Sequence, residues 1–434
     1  LVTGTHKLYY DDLYCRRSET RVISAVDCKC AGESGEEIIK TGLILEATCF
    51  YPEGGGQLSD CGFINGAAVE YVYECKGGGG ETQIVHRLSS RADFSPGDKA
   101  VCEIDFDFRF QNMQHHSAQH ILSESFIRTA GLHTVSMHMG AEYMTIDLAV
   151  DKSFGGFDSK NFKLGNAVLD EAETLANSIV HQNLKIVSFL TAASGLDKYS
   201  LRKRPELEDE MVRLVSIEGF DNSLCCGTHL AYTGGAGAIK IIGQQKANNA
   251  VRIKFVAGMK ALLDYRRKNF ILLSAAEYLS ADYSDLLKSV ERLNNENKAL
   301  AKRKSELFDA YYSKIADELS AGKHLESGIY WFEPADMQYA ELSRAAQIFS
   351  KASGNFSFVL INREAGSGGA QGGSFRFIIG RAQGGGGDIK KVFGGLSGRF
   401  NIKGGGSAFI VQGGNIENSE IDEFKKIVKE GLAC

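Results

Sequence analysis

The sequence predicts an α+β protein in four successive parts: a small N-terminal β-barrel, a central α+β domain with a metal-binding pattern, a long helical segment with a coiled-coil repeat, and a glycine-rich C-terminal α/β module. Two features carry this reading. Glycine is abundant at 49 residues and proline scarce at 4, so clustered glycines do most of the turn work and divide the chain. From about residue 257 to 319 the composition reverses, with Gly and Pro almost absent and Ala, Leu, Lys and Glu dominant, as long helices require.

Residues 1–95 read as short strands, such as Arg21 to Val26 and Gly42 to Phe50, between glycine turns at Gly54 to Gly56 and Gly77 to Gly80, the pattern of a small barrel. Residues 96–256 form the central domain. From Asp107 to Thr129 the spacing is helical, with Met113, Ile121, Leu122 and Phe126 available to pack. Met144, Ile146, Leu148 and Val150 then alternate with Tyr143, Thr145, Asp147 and Ala149, a strand that puts Thr145 and Asp147 on its more polar face. A helix around Leu169 to Gln182 and strands at Lys185 to Phe189, Val212 to Ile217 and Gly237 to Ile242 complete this part.

Residues 257–321 are the helical segment. Leu286, Leu293, Leu300 and Leu307 recur every seven residues, with Val290, Asn297, Lys304 and Tyr311 at the other seam position. Polar groups at Asn297 and Lys304 weaken a long zipper, so packing within one subunit and homodimerisation both stay open. Residues 322–434 hold strand-like runs at Phe356 to Asn362, Phe375 to Gly380 and Ser407 to Gln412 among glycine-dense loops.

With 434 residues, 43% hydrophobic and 24% charged, the chain has ordinary globular composition. Its net charge of -5 excludes a global basic field, so any RNA contact rests on local patches. Arg252, Lys254, Arg266 and Arg267 form one such patch, and Arg399 and Lys403 flank the run Gly404 to Gly406 in another. No run reaches the ~18 apolar residues of a membrane span, and the N-terminal stretch lacks a signal-peptide pattern. The reading is a cytoplasmic protein with no membrane association. The 10 scattered cysteines fit reduced thiols rather than a disulfide framework.

The chemistry concentrates in two motifs, His116-Ser-Ala-Gln-His120 and Cys225-Cys-Gly-Thr-His229. On a helix, residues i and i+4 share a face, so His116 and His120 can present two imidazoles to one ion. Cys225 and His229, four apart in a glycine-containing turn, supply a thiolate and a third imidazole. Three nitrogens and one sulfur suit tetrahedral zinc.

These motifs, with Phe50-Tyr-Pro-Glu-Gly-Gly-Gly-Gln57, Asp60, Gly62, Arg109, the segments MHMG and TIDL, and the run from Val212 to His229, resemble the alanyl-tRNA editing proteins in order and spacing. These (the AlaX family) are free-standing relatives of the editing domain of alanyl-tRNA synthetase. The ending from Gly395 to Gly414 resembles the glycine-rich module of the longer members, so the likeness covers essentially the whole chain.

The resemblance implies a zinc-dependent aminoacyl-tRNA deacylase that removes serine or glycine from mischarged tRNA(Ala). It implies that His116, His120, Cys225 and His229 hold Zn2+ and that Gln57 lines the editing pocket. Thr145 and Asp147 are expected to face that pocket too. The chain departs from the commoner CGGTH form at Cys226; the four-residue spacing favours Cys225 as ligand, and Cys226 stays the alternative.

Two rivals stand beside this reading: an editing fragment of alanyl-tRNA synthetase, and a zinc-stabilised tRNA-binding protein without hydrolytic activity. The KLYYDDLY start favours the free-standing form over the fragment. A phosphoesterase is disfavoured because no Asp-His-His triplet occurs.

Overall fold

The computed structural model describes residues 4–31, 36–151, 153–158, 160–202, 210–363 and 373–432. It contains two compact units, Leu1–Ser274 and Ala275–Cys434.

In the first unit, β1 (Arg17–Ala31), β2 (Glu37–Leu45), β3 (Gly62–Ile64), β4 (Ala67–Lys76), β5 (Thr82–Leu88) and β6 (Lys99–Ile104) pair antiparallel in a closed circuit, β1-β2-β5-β4-β3-β6. Gly42 opposite Arg87 and Gly62 opposite Ile104 mark two of its ladders. Alternate residues turn inward, so Leu43, Leu45, Ile64, Val72, Ile84 and Cys102 fill the interior. The sequence ended the barrel at residue 95 and its second strand at Phe50. The circuit instead closes with β6, and the second strand stops at Leu45, leaving Phe50 buried in a loop beneath it. Backbone pairing to distant strands sets these limits, and side-chain pattern does not report it.

Helix α1 (Phe106–Ala130) follows the last barrel strand. Asp105 caps it by accepting from the Phe108 N–H at 3.0 Å, and Gly131 ends it in the left-handed conformation. Met113, Ile121, Leu122 and Phe126 pack as the spacing predicts, against Ile146 and Leu148 of β8 (Met144–Ala149) and Ile253 and Phe255 of β13 (Ala250–Ala257). These strands belong to an antiparallel sheet ordered β12-β13-β8-β7, with β7 at Thr134–Met139 and β12 at Ile239–Ala247. Helix α2 (Asn166–Gln182) covers the same core through Ala172 and Ala176. A second sheet, β9 (Ile186–Ala192), β10 (Met211–Ile217) and β11 (Asp221–Leu224), leads directly into the CCGTH turn. Helix α3 (Met259–Tyr278) runs out of this unit.

The second unit begins its main structure with α4 (Leu286–Ser320), whose last turns bury Tyr312, Ala316 and Leu319. Toward its N-terminal end Leu293, Leu300 and Leu307 remain 42%, 67% and 53% exposed, so the described residues of this unit leave the heptad stripe uncovered. A five-stranded sheet follows, in the order β14 (Ile329–Phe332), β15 (Ser357–Arg363), β16 (Ser374–Arg381), β18 (Ile410–Glu417), β17 (Lys403–Gly406). Helix α5 (Tyr339–Lys351) covers it through Phe349, and α6 (Ile389–Arg399) and α7 (Ile421–Leu432) through Leu396 and Phe424. The run Gly404 to Gly406, read above as a loop, is an edge strand. A Cβ on Gly404 or Gly406 would lie 2.1 Å from a carbonyl oxygen of β18, so this pairing needs glycine.

Among the described residues no helix is long and apolar enough to cross a membrane. All 9 described cysteines are free thiols.

Candidate metal centre

Helix α1 delivers His116 and His120 from adjacent turns of one face. The segment after β11 delivers Cys225 and His229. Arg213 holds this segment, its Nη1 donating to the carbonyls of Cys225 at 2.9 Å and Gly227 at 2.8 Å while its Nη2 donates to Ser188 Oγ. Tyr10 OH donates to the Cys226 carbonyl at 2.9 Å.

Ligand atoms of His116, His120, Cys225 and His229 all lie within 4.8 Å of one another. Cys225 Sγ is 3.3 Å from both His116 Nε2 and His229 Nε2. A tetrahedral ion with Zn–S near 2.3 Å and Zn–N near 2.05 Å sets such edges at roughly 3.5 Å, so the donors are already at close to the spacing they need. Cys226 is exposed and outside the group, which favours Cys225 over the neighbouring sulfur.

The outward ring nitrogens are each partnered. His116 Nδ1 donates to Gln57 Oε1 at 2.9 Å, His120 Nδ1 to Asp221 Oδ2 at 3.1 Å, and His229 Nδ1 contacts Ser117 Oγ at 3.3 Å. With Nδ1 carrying the proton, each Nε2 turns its lone pair toward the common centre. Burial lowers the pKa of His116 and His229 well below the usual imidazole value, and lowers that of His120 against the opposing pull of Asp221. Burial pushes the Cys225 thiol up to about 11, opposed by the Gly227 N–H. Three neutral imidazoles and a buried thiol fit a divalent cation, which would bind with loss of the thiol proton.

Gly227 makes the arrangement possible. A Cβ there would meet the His116 ring at 2.2 Å and Gln57 Oε1 at 2.8 Å, so the third residue of the turn must lack a side chain. Gln57 itself is fully buried behind His116, bonded through Oε1 to the Thr228 N–H at 3.0 Å and through Nε2 to Thr228 Oγ1 at 2.8 Å.

A cavity of about 500 Å³ opens on the centre, with His116, His120, Cys225, Gln119, Ser136 and Arg202 in its wall. A larger apolar groove of about 950 Å³, between Phe110 of α1 and Leu262 and Tyr265 of α3, contains none of these groups.

Thr145 and Asp147 do share a strand face, opposite His138 and Ser136 on β7 and Lys254 and Arg252 on β13. That face is turned from the helix-covered core, and neither residue lines the cavity. Asp147 sits one residue behind the wall, accepting from Ser136 Oγ at 2.8 Å and from Arg252 at 2.7 and 2.8 Å. Arg252 holds its carboxyl below the usual range. The structure therefore places Thr145 and Asp147 outside the cavity wall in which they were expected, and it pairs Arg252, whose side chain is 37% exposed, with Asp147. Lys254 lies 5.0 Å over the Tyr143 ring, Arg266 and Arg267 are exposed on α3, Arg399 pairs with Glu423 at 2.6 Å, and Lys403 is exposed on β17.

Asp221, Ser117 and Arg202 escaped the sequence reading. Asp221 was within reach, since strand alternation from Asp221 through Ser223 to Cys225 puts all three on one face.

Residues 2–108 match the family model for tRNA synthetases class II (A), and residues 212–254 match the threonyl and alanyl tRNA synthetase second additional domain. The alanine–tRNA ligase of Pyrococcus abyssi is 31% identical over 324 residues, 73% of this chain and 33% of the relative. That of Korarchaeum cryptofilum is 27% identical over 451 aligned positions, 99% of this chain and 45% of the relative. The chain is an alanyl-tRNA editing-related protein. It spans between a third and a half of the length of these two relatives. The C-Ala domain from Aquifex aeolicus alanyl-tRNA synthetase aligns with 24% of this chain and 89% of its own, at 21% identity and a TM-score of 0.20.

Proposed function

We propose that this protein is a trans-editing hydrolase that deacylates tRNA(Ala) mischarged with serine or glycine. The observation that carries the reading is the convergence of His116, His120, Cys225 and His229 on one point, the first three of them in the wall of a 500 Å³ cavity. That volume lies within the range that encloses small ligands. His116, His120, Cys225 and His229 would hold zinc, which when bound supplies a Lewis acid and a fixed positive charge beside the substrate ester.

The chain's own residues do the remaining work. Gln57, Asp221 and Ser117 fix the ring orientation of His116, His120 and His229. Polar side chains in the wall, Gln119 and Ser136 among them, favour a substrate with a hydroxyl over alanine, because an apolar side chain leaves such groups unpaired. Glycine is admitted by size. Lys254, Arg266 and Arg267, with Arg399 and Lys403 in the second unit, are the candidate phosphate contacts. The uncovered stripe Leu293, Leu300, Leu307 is the candidate homodimer seam.

The test is deacylation of Ser-, Gly- and Ala-tRNA(Ala), with metal content measured in parallel. The wild type should hydrolyse the first two and spare the third, and His116→Ala and Cys225→Ala should lose both zinc and activity. Wild-type protein that binds and protects Ser-tRNA(Ala) overturns the hydrolase in favour of a binding protein.

A second reading is the editing portion of a longer alanine–tRNA ligase, favoured by the class II synthetase model over residues 2–108 and by the greater length of both relatives. The intact mass of the protein from its native cells separates the two, since a ligase would exceed twice the 47.2 kDa of this chain.

A further inference from the structure

A second cavity, of about 420 Å³, adjoins the first and shares Arg202 and His133 with its wall. Arg128, Phe220, Asn222 and Ser200 line its far side. Arg202 stands where the two meet. Its N–H donates to the Asn222 carbonyl at 3.0 Å, its Nη1 donates to the His120 carbonyl at 3.0 Å, and the guanidinium lies 3.5 Å from Asp221 with only 14% of the side chain exposed. Arg128 is held the same way, on Glu124 at 2.8 Å and on the Phe220 carbonyl, with its guanidinium 4.4 Å over the Phe220 ring.

We propose that the second cavity receives the penultimate nucleotide of an RNA 3′ end, with Arg202 gripping the phosphodiester that joins it to the terminal aminoacylated nucleotide in the first. The inference rests on the deacylase reading of the first cavity. A single strand entering a terminal-nucleoside pocket needs a directed cation one phosphate from the reacting end, a nucleotide-sized space beyond, and a flat face for the next base. Arg202 is the cation, 420 Å³ is the space, and the guanidinium of Arg128 stacked on Phe220 is the face. Asp221 and Glu124 balance the two arginines, so the site grips one phosphate through oriented N–H groups and does not gather charge as an open basic surface does. This also reconciles RNA entry with an acidic chain. The terminal phosphodiester is read by the braced guanidinium of Arg202, and the global field is not needed.

The probes are adenosine and the dinucleoside monophosphate CpA, titrated into the zinc-loaded full chain. Wild type should bind CpA about tenfold more tightly than adenosine, a difference of about 1.4 kcal/mol. Arg202→Gln should abolish most of that ratio and Arg202→Lys should restore part of it. The same variant should lose about tenfold more kcat/KM on Ser-tRNA(Ala) than on 3′-O-seryl-adenosine, which has no phosphodiester. Equal losses on both substrates would assign Arg202 to the reacting carbonyl and overturn the proposal, as would a wild type that binds CpA no better than adenosine. Should Arg202→Gln shed zinc through Asp221 and His120, Arg128→Gln decides, because Arg128 makes none of the contacts that orient the four donors; an unchanged CpA ratio in that variant refutes the subsite. Preference for CpA without hydrolysis by the wild type sinks the deacylase reading and leaves the subsite, and hydrolysis without that preference does the reverse.

Discussion

Replacing Gln57 with alanine distinguishes a residue that touches substrate from one that positions a metal ligand. Gln57 is fully buried, and its Oε1 accepts from His116 Nδ1 at 2.9 Å and from the Thr228 N–H at 3.0 Å. Truncation orphans both donors at once. Each buried unpaired donor costs about 1–3 kcal/mol, and a water entering the vacated space recovers part, so a net loss of about 2–3 kcal/mol in apo stability is expected. Losing the outer partner of a ligating histidine lowers metal affinity about 10–100-fold, or about 1.4–2.7 kcal/mol. Competition with a chromophoric chelator reads the second quantity, and urea unfolding in EDTA reads the first. Gln57→Glu is the control, since a carboxylate still accepts from His116 Nδ1 while losing the donation to Thr228. The positioning role is refuted if Gln57→Ala binds zinc with wild-type affinity while its turnover falls, because Gln57 would then be acting on the substrate.

Three further outcomes follow from the same geometry. Cys225→Ser should lose zinc while Cys226→Ser retains a full equivalent, measured by elemental analysis; the reverse result would mean that the exposed sulfur is the ligand. Gly227→Ala should displace the His116 ring, now 2.2 Å from the added carbon, costing about 1–3 kcal/mol of stability and at least tenfold in zinc affinity by the same two assays, and wild-type values for both would show that the loop yields. His86, buried in the barrel between Thr48 Oγ1 and the Leu43 carbonyl, is pushed by burial down to about 4. The unfolded chain takes up this proton near pH 6.5, so protonation favours unfolding: stability is full above 6.5, falls as pH drops through 6.5, and has lost roughly 3 kcal/mol below 4. Urea midpoints from pH 7.5 to 4 in EDTA should therefore decline less steeply for His86→Gln, and parallel slopes would exclude His86 as the cause.

The sequence made the donor set legible because ligation imposes two short spacings, four residues within α1 and four within the turn, and such spacings survive in one dimension. It made the helix cores legible for the same reason, since Met113, Ile121, Leu122 and Phe126 repeat within one element. What it concealed depends on juxtaposition across the fold. Asp147 looked like a pocket carboxylate because alternation identifies a polar face without saying what covers it; Arg252, 105 residues away, is its partner. Gln57 was expected in the pocket wall only because the resemblance implied it, and the fold tucks it behind His116. The barrel outran residue 95 because β6 is defined by pairing with Arg17 to Arg21 and with Gly62 to Ile64, far away in sequence.

The composition of α1 follows from its position. Ordinary surface helices bury one stripe, but this one buries Arg109, Asn112, His115, Ser117, Gln119, Ser123 and Ser125 along with its apolar residues, because it runs between the barrel, the sheet and the CCGTH turn. Gln119 and Ser125 bond within the helix, while four others find partners in different neighbours. Arg109 donates to Asp60 and to the Cys49 carbonyl in the barrel, His116 to Gln57, Ser117 bridges His229 and the Leu230 N–H, and His120 reaches Asp221. Buried polar networks of this kind gain strength only when every member is satisfied. The barrel is thus part of the candidate metal centre in a physical sense: Gln57 and Asp60 are three residues apart on one of its loops, and they seize α1 seven residues apart, at His116 and Arg109. A shift of one helical residue would break both contacts together and turn the imidazole pair away from Cys225. The register that holds the barrel to the helix is therefore the register that aims the donors, which is why a chain of this design carries the barrel and the centre in one compact unit.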